Sequence, residues 1–135
     1  MFLKDILKFK NGKHLPEQNI SNNGYPVYGS TGIIGKCSYP LTDKPTLIIG
    51  RVGANCGQVQ KTTTPCWITD NCILAHVNDN FSFNYVYYLL NAMALNQYHI
   101  GSAQALLTSD ILKNLKVLFE YNSIEQQHIV NTNEA

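Results

Sequence analysis

The sequence predicts an α+β fold: a twisted, β-rich first part, a few packed helices, and the start of a further helix at the C-terminal end. Three observations predict it. Glycines at positions 12, 24, 29, 32, 35, 50, 53 and 57 cut the first part of the chain into short runs, as expected where the backbone turns or approaches a neighbour closely. After Asn80 that punctuation stops, and apolar and aromatic residues recur at helical spacing. The 135 residues, 44% apolar and 14% charged, can bury one core but not two, and their balance is that of a globular chain and not a disordered one.

Taken in order, the strands are expected at Tyr25 to Tyr28, Ile33 to Cys37, Thr46 to Gly50, Gly57 to Lys61 and Cys72 to Val77. Asn11-Gly12 and Asn23-Gly24 read as hairpin-type dipeptides. Pro26 suggests that the first strand begins at a sheet edge, because proline donates no ladder hydrogen bond. Ser82 can cap a helix that places Tyr85, Tyr88, Leu89, Ala92 and Leu95 on one face, an aromatic stripe that reads as core. Gly101-Ser102-Ala103-Gln104-Ala105 reads as a small-residue loop, followed by a short helix over Asp110 to Asn114 and a strand over Leu115 to Phe119. Ser123-Ile124-Glu125-Gln126 fits a capping box. The helix it opens reaches Ala135 within nine residues, so it either docks on the domain or begins a longer helix. The expected division is a domain over 1–121 and the start of that helix over 122–135.

No run approaches the roughly 18 apolar residues of a membrane span, and Met1-Phe2-Leu3-Lys4-Asp5 lacks a basic-then-apolar export signal. A cytoplasmic location is expected, with Cys37, Cys56, Cys66 and Cys72 reduced. The net charge of +1 conceals an asymmetry. Up to Lys61 there are eight basic residues (Lys4, Lys8, Lys10, Lys13, Lys36, Lys44, Arg51, Lys61) against three acidic, a balance of +5; from Thr62 onward two lysines meet six acids, a balance of −4. A polyanion would be met mainly by the first half.

Several catalytic motifs fail on inspection. Gly24-Tyr25-Pro26-Val27-Tyr28-Gly29-Ser30-Thr31 approaches a phosphate-binding P-loop, but Ser30 stands where the lysine belongs and a strand follows where a helix is required. Cys56, Cys66, Cys72 and His76 are potential zinc ligands without the paired Cys-x2-Cys knuckle. A buried pair of cysteines beside a hydrogen-bonded histidine is the better reading, with Cys72, Leu74 and His76 on one strand face. Cys56 with His76 or His99 would supply a nucleophile and base, yet nothing in the sequence shows that they meet.

Glycine-tethered polar loops remain: Gly29-Ser30-Thr31-Gly32, Gly50 to Gly57 with the sole arginine, Arg51, then Thr69-Asp70-Asn71 and Gly101-Ser102-Ala103-Gln104. Planar Arg, Asn and Gln groups suit guanine and adenine edges, whereas Ser, Thr and Lys suit phosphate oxygens. At these residues the chain resembles a known family. Gly24 to Gly35, Ile48 to Gly57, Trp67 to Asn71, Tyr85-Val86-Tyr87-Tyr88-Leu89-Leu90, Gly101 to Gln104 and Ile124-Glu125-Gln126 stand in the order and spacing of the target recognition domain of type I restriction-modification specificity subunits, across nearly the whole chain.

That resemblance implies sequence-specific recognition of double-stranded DNA, with no catalysis and no cofactor in this chain. Methyltransferase subunits using S-adenosylmethionine, and a restriction subunit using ATP and Mg, would be its partners. In the family, two such domains are each followed by a long helix, and the paired helices space two DNA half-sites. One domain alone implies a half-subunit that pairs with a second copy, or part of a larger subunit; the proline-containing approach usual before the helix is replaced by Tyr121-Asn122. The family's base-reading residues vary with the target, so the DNA contacts are inferred from chemistry: Ser30, Thr31, Lys36, Arg51, Asn55, Gln58, Lys61, Asn71 and Gln104, with Gly29 and Gly53 shaping loops. For Arg51 the competing role is a structural bond to loop carbonyls. The rival functions are a protein-interaction module and a small cysteine- or zinc-dependent enzyme.

Overall fold

The computed structural model describes residues 1–117. The capping box at Ser123, the helix after it, the boundary at residue 121 and the end of the strand expected over Leu115 to Phe119 lie outside the described residues. Seven strands run in the order β1 (Leu7–Asn11), β2 (Tyr25–Gly29), β3 (Gly32–Cys37), β4 (Leu47–Gly50), β5 (Val59–Lys61), β6 (Trp67–Ile68) and β7 (Cys72–Val77), followed by α1 (Phe83–Ala92) and α2 (Ser109–Lys113). They form a four-stranded antiparallel sheet, β1-β7-β4-β5, and a three-stranded sheet, β3-β2-β6, in which β2 and β6 run parallel.

The pleat of the larger sheet decides what each side chain meets, because residues paired across an antiparallel ladder share a face and neighbours along a strand do not. One face carries Leu7, Leu47, Ile49, Ile73 and Ala75, which pack with Val86, Leu90, Leu107 and Leu112 into the main core. The other carries Ile48, Cys72 and Leu74, which pack with Tyr28, Cys66 and Ile68 between the two sheets. Ile48 and Ile49 are both fully buried, on opposite faces, so β4 reads as a continuous apolar run and not as an alternation. Each such side chain contributes roughly 1.5–3 kcal/mol of burial.

The five strands expected before Asn80 are present, within two residues of their expected limits, whereas the described part of the strand expected over Leu115 to Phe119 forms only an isolated antiparallel bridge, Lys116 to Phe2. Two further strands are not among those expected. β1 pairs with β7 over its whole length, and β6 lies beside β2. β2 is therefore the middle strand of its sheet, not an edge. Pro26 is tolerated there because β6 pairs only with Val27 and Tyr28, leaving Pro26 beyond its reach. Neither Asn-Gly dipeptide makes a hairpin turn: Asn11 ends β1 and Gly12 packs against the Thr69 carbonyl, while Gly24 leads into β2. The hairpin turn is Ser30-Thr31 between the paired Gly29 and Gly32. Neither turn residue has positive φ, and Gly32 takes it instead at +120°.

Ser82 caps α1 as expected, its Oγ accepting from the Tyr85 N–H at 3.2 Å. The buried face is Tyr85, Val86 and Leu90; Tyr88 and Leu89 are partly buried, Ala92 is exposed, and Leu95 is buried in a separate 3-10 turn after the helix ends. The break falls at Ala94, the one non-glycine described residue with positive φ. Thr108 caps α2 by accepting from the Ile111 N–H.

Candidate nucleic-acid interface

The larger sheet brings one end of each of its strands together: the ends of β1 and β4 and the beginnings of β7 and β5. Three of the glycine-tethered loops leave from or pack against this end, and they are joined main chain to main chain. The Arg51 N–H donates to the Asn71 carbonyl at 2.8 Å, the Gly53 N–H to the Ala105 carbonyl at 2.9 Å, and the Leu107 N–H to the Arg51 carbonyl at 2.8 Å. The loop at 101–105 is closed by a reciprocal pair between Ile100 and Leu106. Because these bonds use backbone groups, they leave the side chains of Asn55, Gln58, Asn71 and Gln104 uncommitted.

Asn55, Gln58, Asn71 and Gln104 all sit on this cluster; Gln58, Asn71 and Gln104 are exposed and Asn55 is partly buried. Gly53 has φ +80°, and the nearest atom to a side chain placed there would be the Gln104 amide nitrogen at 3.8 Å. The second and fourth loops thus meet at this glycine. Arg51 is partly buried at their centre. Its Nε donates to the Asp70 carbonyl at 2.7 Å, the structural bond that competes with a DNA role, and it uses one of the five guanidinium donors. The side chain also lines a small cavity of about 150 Å³ with Asn11 and Asp110.

Ser30 and Thr31 form the tip of the β2–β3 hairpin, which is tied to the larger sheet by Gln60, a residue that its type and position in the sequence do not single out. Gln60 lies on the inter-sheet face of β5, and its Nε2 donates to the Ser30 carbonyl at 3.2 Å and to the Gly29 carbonyl at 3.4 Å. Its neighbour Lys61 points to the other face by the pleat. There its Nζ donates to Asn84 Oδ1 at 3.0 Å and lies 4.6 Å from the centre of the Tyr87 ring and 5.6 Å from that of Tyr88. Lys36 is exposed at the opposite end of the hairpin from Ser30 and Thr31, paired with Pro26 and bonded through its backbone to Ser21. The structure therefore gathers seven of the nine expected residues toward one end and leaves Lys36 and Lys61 apart.

The chemistry of the cysteines points away from catalysis. All four are free and buried. Burial pushes the Cys72 thiol up to about 12, with Arg51 opposing and Asp70 adding to that rise, and burial likewise raises Cys56 and Cys66. Such thiols stay protonated at neutral pH, the reverse of what a cysteine nucleophile requires. His76 is also held below its ordinary value, first by burial and then by Lys44 and Lys10; its Nδ1 stands 3.5 Å from Thr46 Oγ1. Among the described residues no three His, Cys, Asp or Glu side chains are grouped to hold a metal, and no helix is long and apolar enough to cross a membrane.

Residues 1–132 match the family model described as type I restriction modification DNA specificity domain. The chain belongs to that family. Among curated proteins, this specificity domain is 34% identical over 130 residues to the EcoprrI type I restriction enzyme specificity subunit of Escherichia coli, covering 93% of this chain and 32% of that protein. Among solved structures it resembles the S subunit of a type I restriction-modification system from M. genitalium, with a TM-score of 0.87 at 21% identity over 99% of this chain and 37% of that one. It also resembles the HsdS subunit from Thermoanaerobacter tengcongensis, with a TM-score of 0.75 at 18% identity over 99% of this chain and 36% of that one. At those identities the structural likeness shows a shared fold, and the specificity domain spans about a third of each relative's length.

Proposed function

We propose that this specificity domain reads base edges in duplex DNA through the three-loop cluster and the adjoining hairpin tip, and that it catalyses nothing itself. The observation that carries the reading is the division of labour in the cluster. Backbone bonds hold the loops, which leaves the amide groups of Asn55, Gln58, Asn71 and Gln104, beside Arg51, available for bidentate pairing with adenine and guanine in the major groove. Ser30 and Thr31 offer hydroxyls to phosphate oxygens from the neighbouring tip. Lys36 and Lys61 stand apart from this surface, Lys61 held by Tyr87 and Asn84, and are left out of it.

On this reading the domain works in the cytoplasm and directs methyltransferase and restriction subunits to their site; S-adenosylmethionine, ATP and Mg would be handled by those partners. Its C-terminal segment would continue as the helix through which a second recognition domain, in the same or another copy, is spaced. The test is selection from a random duplex library by the purified chain, followed by anisotropy titrations on the enriched and scrambled duplexes at several salt concentrations. The expected result is a short enriched motif bound at least about 10³-fold more tightly than scrambled DNA. No enrichment, either alone or with methyltransferase subunits present, would refute the reading in favour of a protein-interaction module.

A further inference from the structure

The end of the larger sheet remote from the reading loops carries a groove of about 610 Å³. Its wall includes Lys8, Lys44 and His76, its aromatic residues are Phe81 and Phe83, and Asp79 is the one acid among its lining residues. The register explains why the basic groups converge. Lys8 is paired with His76 and Lys10 with Leu74, so all four side chains leave the same face of the sheet. That is the face on which the smaller sheet sits, but the inter-sheet core gathers around Ile48, Cys72 and Leu74, and Lys8 and Lys10 on the edge strand stay exposed.

Lys10 stands two residues along β1 from Lys8, a rise of about 7 Å, and one residue short of Asn11, where β1 ends at the loop end of the sheet. Lys44, Lys8 and Lys10 thus mark a basic track from the groove to the reading loops. The influence of both Lys10 and Lys44 on His76 shows that their charges act on one region. Along B-DNA each strand presents a charge about every 3.4 Å of axis, so the rise of about 7 Å from Lys8 to Lys10 is about two such spacings.

We infer that Lys8, Lys10 and Lys44, with the groove beside His76, Phe81 and Phe83, grip the sugar-phosphate backbone of the duplex next to the bases read by the loops. This rests on the DNA-reading proposal above and assigns the sequence-independent part of the affinity to lysines outside the loop cluster. Lys36 and Lys61 do not share in it: the first lies on the far hairpin, and the second faces α1.

The test uses the full chain with Lys8, Lys10 and Lys44 all changed to Gln, and Lys61→Gln as a single-charge comparison, each checked by thermal melting. Binding to the preferred and scrambled duplexes is titrated over a salt series. For the triple variant the slope of log K against log salt is expected to fall by up to about 2.7, at about 0.9 for each phosphate no longer neutralised. Affinity should drop by the same factor on both duplexes, so that the ratio between them is kept, and Lys61→Gln should keep the wild-type slope. A triple variant with the wild-type slope, while the wild-type chain still prefers its sequence, overturns the inference and leaves the reading proposal standing. Loss of the sequence preference together with the slope also overturns it, because the lysines would then be reading bases. A wild-type chain with no salt-dependent affinity for any duplex overturns both, and points to an acidic protein as the occupant of the track.

Discussion

Replacing Arg51 separates a residue that reads DNA from one that only holds a loop. Its Nε donates to the Asp70 carbonyl at 2.7 Å, a hydrogen bond from a charged donor of the kind worth about 1.5–3 kcal/mol. Because the side chain is only partly buried, the lower end applies, and Arg51→Ala should cost about 1–1.5 kcal/mol of stability, or about 3–6 °C in Tm for a chain of this size. The DNA term is independent of that loss. A guanidinium anchored through Nε is already oriented, and presenting its remaining donors to a guanine edge would contribute about 1–3 kcal/mol of discrimination, roughly 5- to 150-fold in Kd. Arg51→Lys keeps the charge but loses the fork, so it should share the loss of stability and of preference while keeping the salt slope. The assay is differential scanning fluorimetry alongside anisotropy on the preferred duplex and its single-base variants. A fall in Tm with unchanged affinity and preference would refute the reading role and leave Arg51 as a strut between two loops.

Gly57 has φ +91°, and a Cβ there would lie 2.7 Å from Asn96 Cα and 3.0 Å from the Leu95 carbonyl carbon. Gly57→Ala is therefore expected to cost about 2–4 kcal/mol in urea unfolding, whereas Gly53→Ala, whose Cβ would make only an ordinary contact with the Gln104 amide, should cost only the backbone contribution of about 1 kcal/mol. The Cys72 thiol, pushed up to about 12, should resist alkylation at neutral pH in the folded chain and react once urea unfolds it, as followed by intact mass. His76 is depressed below its ordinary 6.5, so its contribution is fully present above that pH. It is lost as the pH falls and the unfolded chain takes up the proton first; His76→Gln should flatten the stability profile on the acid side of 6.5. Asn55, Gln58 and Gln104 carry no framework bond by their side chains, so alanine at each should change stability by less than about 0.5 kcal/mol while altering the enriched DNA motif, as measured by repeating the selection.

Much of this architecture is legible in the sequence because the signals are local. The Gly-Ser-Thr-Gly turn, the apolar run of β4 and the Ser82 cap are each defined within a few residues. β1 is also legible in principle, since Leu7-Lys8-Phe9-Lys10 alternates between apolar and basic, but no turn signal precedes it to mark its start. β6 cannot be found in this way, because two residues show no periodicity and their pairing with β2 joins segments about forty residues apart. For the same reason α1 ends earlier than its periodicity suggests: Leu95 fits the helical spacing, but the positive φ of Ala94 reflects close packing of that turn against the loop at Gly57. The site divides along the same line. Polar loop residues can be nominated by type, whereas the anchoring role of Gln60 depends on which strand the hairpin tip lies against.

The two β5 neighbours Gln60 and Lys61 show how little of a residue's role resides in its chemistry alone. Either would be a reasonable DNA ligand by type, and they are adjacent in sequence, but the pleat sends Gln60 between the sheets to hold the hairpin tip and Lys61 onto the aromatic side of α1. The same alternation on β1 places Leu7 and Phe9 against the helices and leaves Lys8 and Lys10 on the uncovered margin of the sandwich. The fold therefore divides polar side chains into those used as struts and those left available to a ligand. Only the second set can change without disturbing the frame, and that is the physical condition under which one scaffold can be turned to different DNA sequences.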